Sequence, residues 1–134
     1  MAPPIQITVD AADPRAQGAF WGEVLGYVEQ PPPPGFDNWD DVLDSMGVDR
    51  ADPNRAFAIV DPDGVGPRVF FLKVPEAKSA KNRMHLDVHT DPDQLHARAT
   101  HLVEVGATYI GEFNEPEGHW ITLLDPEGNE FCLH

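Results

Sequence analysis

The feature that most constrains this chain is a turn that occurs twice. Asp61-Pro62-Asp63-Gly64 and Asp125-Pro126-Glu127-Gly128 follow one pattern. Asp caps the turn, Pro fixes φ at the second position, and Gly takes the positive φ at the fourth. Apolar runs flank both copies. Ala58, Ile59 and Val60 lead into the first, and Val69, Phe70, Phe71 and Leu72 follow it after a short insert. The apolar run from Trp120 to Leu124 leads into the second, and Phe131, Cys132 and Leu133 follow it. Each reads as a β-hairpin. A duplicated hairpin implies a duplicated unit, so the rest of the chain is read as completing each copy.

The stretches upstream of the hairpins support this. Ile5, Ile7 and Val9 alternate with Gln6, Thr8 and Asp10, the period of a half-buried strand. Asp13-Pro14 then opens a helix, with Asp as cap and Pro in its first turn. Phe20, Trp21, Val24 and Leu25 make its apolar stripe, and Gly26 ends it. The second copy repeats the order. Met84, Leu86 and Val88 alternate with His85, Asp87 and His89, Asp91-Pro92 opens a helix, and Leu95, Ala99, Leu102 and Val103 form its stripe up to Gly106. Residues 107–111 add a short strand, and residues 119–124 return into the last hairpin. The expectation is an α+β fold of one domain over residues 1–134, with modules at about 4–75 and 82–134.

Two segments fall outside the repeat. Residues 29–55 hold four consecutive prolines, Pro31 to Pro34, followed by Gly35, which excludes a regular helix or strand there. Residues 36–46 read as a short acidic helix presenting Phe36, Trp39, Val42 and Leu43. This insert is either a lid or a solvent-facing connection with aromatic anchors. Five of the nine basic residues lie between positions 68 and 83: Arg68, Lys73, Lys78, Lys81 and Arg83. They either pair with the protein's own carboxylates or hold an anionic ligand group, with Lys81 and Arg83 at the rim. The net charge of −14 argues against nucleic acid and anionic membranes as partners. A single cysteine, no membrane-spanning run and no signal peptide point to a cytoplasmic protein.

Strand parity places a site. The apolar alternates pack on the helices, and the polar alternates face the other way into a concave interior shared by two sheets. Gln6 then matches His85, Thr8 matches Asp87, and Asp10 matches His89. On the last strand Glu130 and Cys132 share a face opposite Phe131 and Leu133. A type I turn with a Gly bulge pairs Asp125 with Asn129 and sets Thr122 opposite Cys132, so Trp120 and Thr122 also face inward. The expected ligand-binding set is Gln6, Thr8, His85, Asp87, Trp120, Thr122, Glu130 and Cys132, with Trp39 closing over it. His85 has the chemistry of a general base of near-neutral pKa.

Gln6-Ile7-Thr8-Val9 running into Asp13-Pro14, Phe20-Trp21 and Leu25-Gly26-Tyr27 resembles the first module of the vicinal oxygen chelate superfamily. So do Asn82-Arg83-Met84-His85-Leu86-Asp87 and the closing run from Asp125 to Cys132. The chain is similar to the small glyoxalase-like and bleomycin-resistance-like proteins of that superfamily. The resemblance covers all but residues 29–55. It implies paired βαβββ modules forming a shared cup-shaped cavity, and a homodimer. It also implies a metal site at Gln6, His85 and Cys132, with a further carboxylate on residues 69–74. No Asp or Glu occurs in that last stretch, and Cys132 stands where the family has glutamate. Two readings follow. One is a protein that binds a small organic molecule without a metal. The other is a metal-dependent lyase, isomerase or dioxygenase using His85 and a reduced ligand set with Zn, Ni, Mn or Fe.

Overall fold

The computed structural model describes residues 1–48 and 51–134; positions 49 and 50 of the expected insert lie outside the described residues. The first copy forms β1 (Ile7–Ala11), α1 (Pro14–Leu25), β2 (Val28–Glu29), α2 (Trp39–Ser45), β3 (Ala56–Val60) and β4 (Val69–Lys73). The second forms β5 (Asp87–Val88), a 3₁₀ turn (Pro92–Gln94), α3 (Leu95–Glu104), β6 (Thr108–Glu115), β7 (Gly118–Leu124) and β8 (Glu130–Leu133). Each copy makes a four-stranded mixed sheet, with orders β1-β4-β3-β2 and β5-β8-β7-β6. In both, the first strand runs parallel to the last, Ile7 beside Val69 and Asp87 beside Cys132. This is the α+β fold of two paired βαβββ modules that the repeat predicts.

The two Asp-Pro signals do not act alike. The Asp13 carboxylate accepts from the Ala16 N–H and caps α1 directly. Asp91 makes no such bond; its carbonyl accepts from the Gln94 N–H at 2.8 Å, so Pro92 opens a 3₁₀ turn and α3 begins only at Leu95. The helix of the insert is shorter than residues 36–46, because Asn38 caps it and leaves Phe36 outside. β6 is longer than expected: a register shift between Tyr109 and Gly111 lets it continue along β7 to Glu115.

α1 and α3 lie on one side of the sheets. Phe20, Trp21 and Val24 of α1 join Leu95, Ala99 and Leu102 of α3 in one buried cluster with Ile59, Phe71, Ile121, Leu123, Phe131 and Leu133. Burial of each such side chain is worth roughly 1.5–3 kcal/mol. Gly18 lets α1 settle on β3, since a Cβ there would strike the Phe57 ring. The Trp21 and Phe131 rings lie 4.9 Å apart between centroids, and the Arg98 Nη2 donates to the Val24 carbonyl at 2.7 Å. The helices thus join the modules through their apolar faces.

The second turn seals this junction. Asp125 is only 2 % exposed, yet its carboxylate has no cationic partner among the described residues. Its Oδ2 accepts from Gln17 Nε2 at 2.8 Å and Trp21 Nε1 at 3.1 Å, both on α1. Its Oδ1 accepts from the N–H groups of Glu127 and Asn129, each at 2.9 Å, and Asn129 Nδ2 adds a bond at 2.9 Å to Oδ2. Glu127 in the same turn accepts from the Ala12 and Asp13 N–H groups at 2.6 and 3.0 Å, ahead of α1. The first turn is self-contained by comparison: among the described residues the Asp61 carboxylate accepts only from Asp63, Val65 and Gly66 of its own loop, and the Gly66 and Asp63 N–H bonds hold its carboxyl below the usual range. Asp125→Ala leaves the buried Gln17 and Trp21 donors without an acceptor. Denaturant unfolding is expected to show a loss of roughly 2–4 kcal/mol, and a loss below about 0.5 kcal/mol would contradict the seal.

Candidate functional site

The sheet faces opposite the helices carry the polar alternates. On the second sheet, antiparallel pairing sets Thr122 beside Cys132, and parallel pairing sets Asp87 on the other side of Cys132. Asp125 N–H donates to the Asn129 carbonyl at 2.9 Å across the turn, the register read from the sequence. The resulting row, Asp87–Cys132–Thr122, crosses three strands. A second row lies next to it. Phe113, Trp120 and His134 stack at centroid spacings of 5.8 Å and interplanar angles of 23°, and His89 lies 5.7 Å beyond His134.

His85 projects beside the first row. Its Nδ1 lies 3.2 Å from Asp87 Oδ1, and His134 Nε2 reaches the same oxygen at 3.5 Å. The Cys132 thiol contacts the Thr122 hydroxyl at 3.4 Å. One donor atom each from His85, Asp87 and Cys132 lie within 4.8 Å of one another, with His85 and Asp87 exposed and Cys132 buried. Burial pushes the Cys132 thiol above its usual pKa; the Thr122 bond opposes this and the Asp87 charge adds to it. The thiol is therefore protonated at neutral pH and a weak nucleophile.

The other expected residues lie in different surroundings. Gln6 Nε2 donates to Thr8 Oγ1 at 3.2 Å, and Gln6 Oε1 accepts from Arg68 Nη1 at 2.7 Å, so this pair belongs to the first sheet. Glu130 is turned to the preceding loop, where it accepts from the Asn82 N–H at 3.0 Å and lies 3.4 Å from Lys78 Nζ. Burial raises its carboxyl, but these donors outweigh that and hold it below the usual range. Trp39 donates to the Gln30 carbonyl at 2.8 Å and lines a cavity of about 610 Å³ on the first module. A smaller apolar crevice of about 280 Å³ marks the seam between β1 and β5, at Ile7, Leu86 and Val88. Of the five basic residues from 68 to 83, Lys73 pairs with Asp52 at 2.9 Å, Lys78 with Glu130, Arg68 with two amides, and Lys81 reaches the Asn82 carbonyl at 3.5 Å. His134 and Phe113 were not expected in the site. His134 follows from the parity of Glu130 and Cys132; Phe113 depends on the bulge in β6, which the sequence does not announce.

The residues fit a metal selectively. One imidazole, one carboxylate and one thiol converge, a set suited to a borderline cation such as zinc once the thiol loses its proton. It is poor for oxygen-loving cations, because β4 reads Val-Phe-Phe-Leu-Lys and supplies no carboxylate.

The sequence profile of the glyoxalase-like domain family matches residues 6–134. No curated protein sequence matches the chain. Solved structures resemble it over most of their length. One is the fosfomycin resistance protein FosX from Mesorhizobium loti, 14% identical, with a TM-score of 0.69 over 100% of this chain and 91% of that one. Another is a variant of FosX from Listeria monocytogenes complexed with Mn(II) and 1S,2S-dihydroxypropylphosphonic acid, 12% identical, with a TM-score of 0.70 over 100% and 90%. A third is a glyoxalase/bleomycin resistance/dioxygenase family enzyme from Burkholderia phytofirmans PsJN, 16% identical, with a TM-score of 0.66 over 96% and 94%. At such identities these likenesses establish the fold.

The raised thiol and its burial predict slow alkylation. Iodoacetamide at neutral pH is expected to modify Cys132 at least about tenfold more slowly in the folded protein than in the unfolded chain. Equal rates would contradict this account of the thiol.

Proposed function

We propose a function from one premise: the chain belongs to the glyoxalase-like domain family, within the vicinal oxygen chelate superfamily. It is a single-domain protein that binds a small organic molecule on the open face of the second sheet, without the superfamily's usual metal. One observation carries this reading: His85, Asp87 and Cys132 converge beside the stacked Phe113–Trp120–His134 row. The stack offers aromatic surface, and the converging groups offer a few directed hydrogen bonds. Asp87 at Nδ1 orients the His85 ring and leaves Nε2 toward the ligand, as a hydrogen-bonding group or general base. Thr8, Gln6 and Trp39 stand on the first module, outside this face, and Thr122 and Glu130 flank it.

A second reading is favoured by the convergence itself. A cation held by His85, Asp87 and Cys132 would make the protein a metal-dependent lyase, isomerase or dioxygenase; Gln6, whose Oε1 accepts from Arg68, stands apart from that set. Such a cation supplies Lewis-acid polarisation of a chelated oxygen. The stacked Phe113, Trp120 and His134 would then position the substrate, and the buried Cys132 side keeps water from that edge.

The working unit in this proposal is a homodimer in the cytoplasm. β6 is an edge strand, and Tyr109 and Ile110 are each 50% exposed on it, a surface that a second copy covers. No helix among the described residues is long and apolar enough to cross a membrane. The one cysteine, Cys132, is free, as suits a reducing compartment. Sedimentation is expected to show a dimer at micromolar concentration; a monomer at high micromolar concentration would exclude it.

The two functional readings separate in a thermal-shift screen of small organic compounds, run with and without Zn²⁺, Ni²⁺, Mn²⁺ and Fe²⁺. The expected result is stabilisation by organic compounds alone, abolished by His85→Ala or by Thr122→Trp. Stabilisation only with metal present, or glyoxalase-type turnover with it, would replace the first reading by the second.

A further inference from the structure

The cavity of about 610 Å³ on the first module lies between α2 and the first sheet, away from His85. Its volume is in the range of small-molecule sites, roughly 300–1,000 Å³. Two aromatic side chains line it, Trp39 from α2 and Phe70 from β4, over a floor of small residues that includes Ala58, which pairs beside Phe70. The indole N–H of Trp39 is already given to the Gln30 carbonyl. The ring therefore meets the cavity as an apolar surface.

Arg68 is the unusual member of this lining. Its Nε donates to Gln30 Oε1 at 2.7 Å, its Nη1 donates to Gln6 Oε1 at 2.7 Å, and its guanidinium lies over the Phe70 ring at 5.0 Å. Two amide oxygens and one ring fix the group without cancelling its charge. No carboxylate among the described residues lies within ion-pair distance of it, in a chain of net charge −14. Three acids share the lining: Glu29 lies 3.9 Å from Arg15, Asp52 binds Lys73 at 2.9 Å, and Asp40 stands on α2, outside ion-pair distance of Arg68. Nη2 and the second Nη1 hydrogen are unused by any described residue. A held, half-buried and unneutralised guanidinium at the edge of an aromatic cavity is complementary to one anionic head group on a flat apolar body.

We infer that this cavity is a binding site for a planar aromatic monoanion, an aromatic carboxylate, with Arg68 receiving the carboxylate and Trp39 and Phe70 enclosing the ring. The inference does not depend on the reading of the second sheet.

The test uses 2-naphthoate as probe and 2-naphthalenemethanol as its uncharged counterpart, titrated into the full-length ¹⁵N-labelled chain. The indole N–H signals separate the locations: Trp39 reports the cavity, Trp120 the second sheet and Trp21 the core. Naphthoate is expected to shift the Trp39 signal and leave Trp120 unmoved. Arg68→Gln is expected to weaken naphthoate at least about tenfold while changing naphthalenemethanol less than about twofold. The retained binding of the neutral probe then shows that the variant is folded. Ala58→Leu keeps Arg68 but fills the floor, and is expected to weaken both probes. No Trp39 shift at millimolar naphthoate would overturn the inference. So would equal naphthoate affinity in Arg68→Gln, or a shift confined to Trp120. That last result would leave the proposal for the second sheet standing.

Discussion

The buried carboxylate of Asp125 is the interaction on which the rest of this structure depends. A carboxyl group so far from water is tolerated only when donors surround it. Here the donors come from two places: the turn that Asp125 itself begins, and the α1 side chains of Gln17 and Trp21. One carboxylate therefore shapes the last hairpin and fixes it to the first helix. The Trp21 indole serves both layers, since its N–H meets Asp125 and its ring packs on Phe131. Misplacing the turn exposes apolar surface and orphans buried donors together. Glu127 adds a second attachment ahead of the same helix. The first turn has no such reach, so the joint between the copies is one-sided despite their common topology.

The consequence for function is positional. β7 and β8 leave the Asp125 turn carrying Trp120 and Thr122 on one strand and Cys132 on the other, and β5 is held against β8 through Asp87 and Val88. β5 is only two residues long and needs β8 to be a strand at all. His85 stands just before it, so its direction also derives from the last hairpin. The site is thus built at the place where the chain closes on itself. Its chemistry is mild: an imidazole set by a carboxylate, a protonated thiol and a stack of rings suit recognition more than attack.

Much of this was legible in the sequence, for a physical reason. The period of two along a strand and the conformational demands of Asp-Pro-acidic-Gly turns are local, so they fix faces and register from a few residues. Thr122 beside Cys132 and Asp125 bonded to Asn129 follow from that alone. What escaped depends on partners distant in the chain. Asp125 meets Gln17 and Trp21 across separations of 108 and 104 residues, and no local pattern reports this. Glu130 shares a face with Cys132 by parity, but Lys78 and Asn82 draw its carboxylate to the preceding loop. Trp39, expected over the same groups as His85, has its indole anchored on Gln30 and lines the first module's cavity. The Asp91-Pro92 start looked like Asp13-Pro14, yet only Asp13 reaches the helix N–H groups.

Native-state hydrogen exchange tests the central claim most directly, that the Asp125 junction makes the two modules one cooperative body that holds the site. The amides of Phe71 in β4 and Phe131 in β8 report the two buried cores. The account predicts one common opening free energy for both, falling together in the Asp125→Ala variant. If Phe71 keeps its protection while Phe131 loses it, the modules are stable separately, and the last hairpin does not owe its place to that carboxylate.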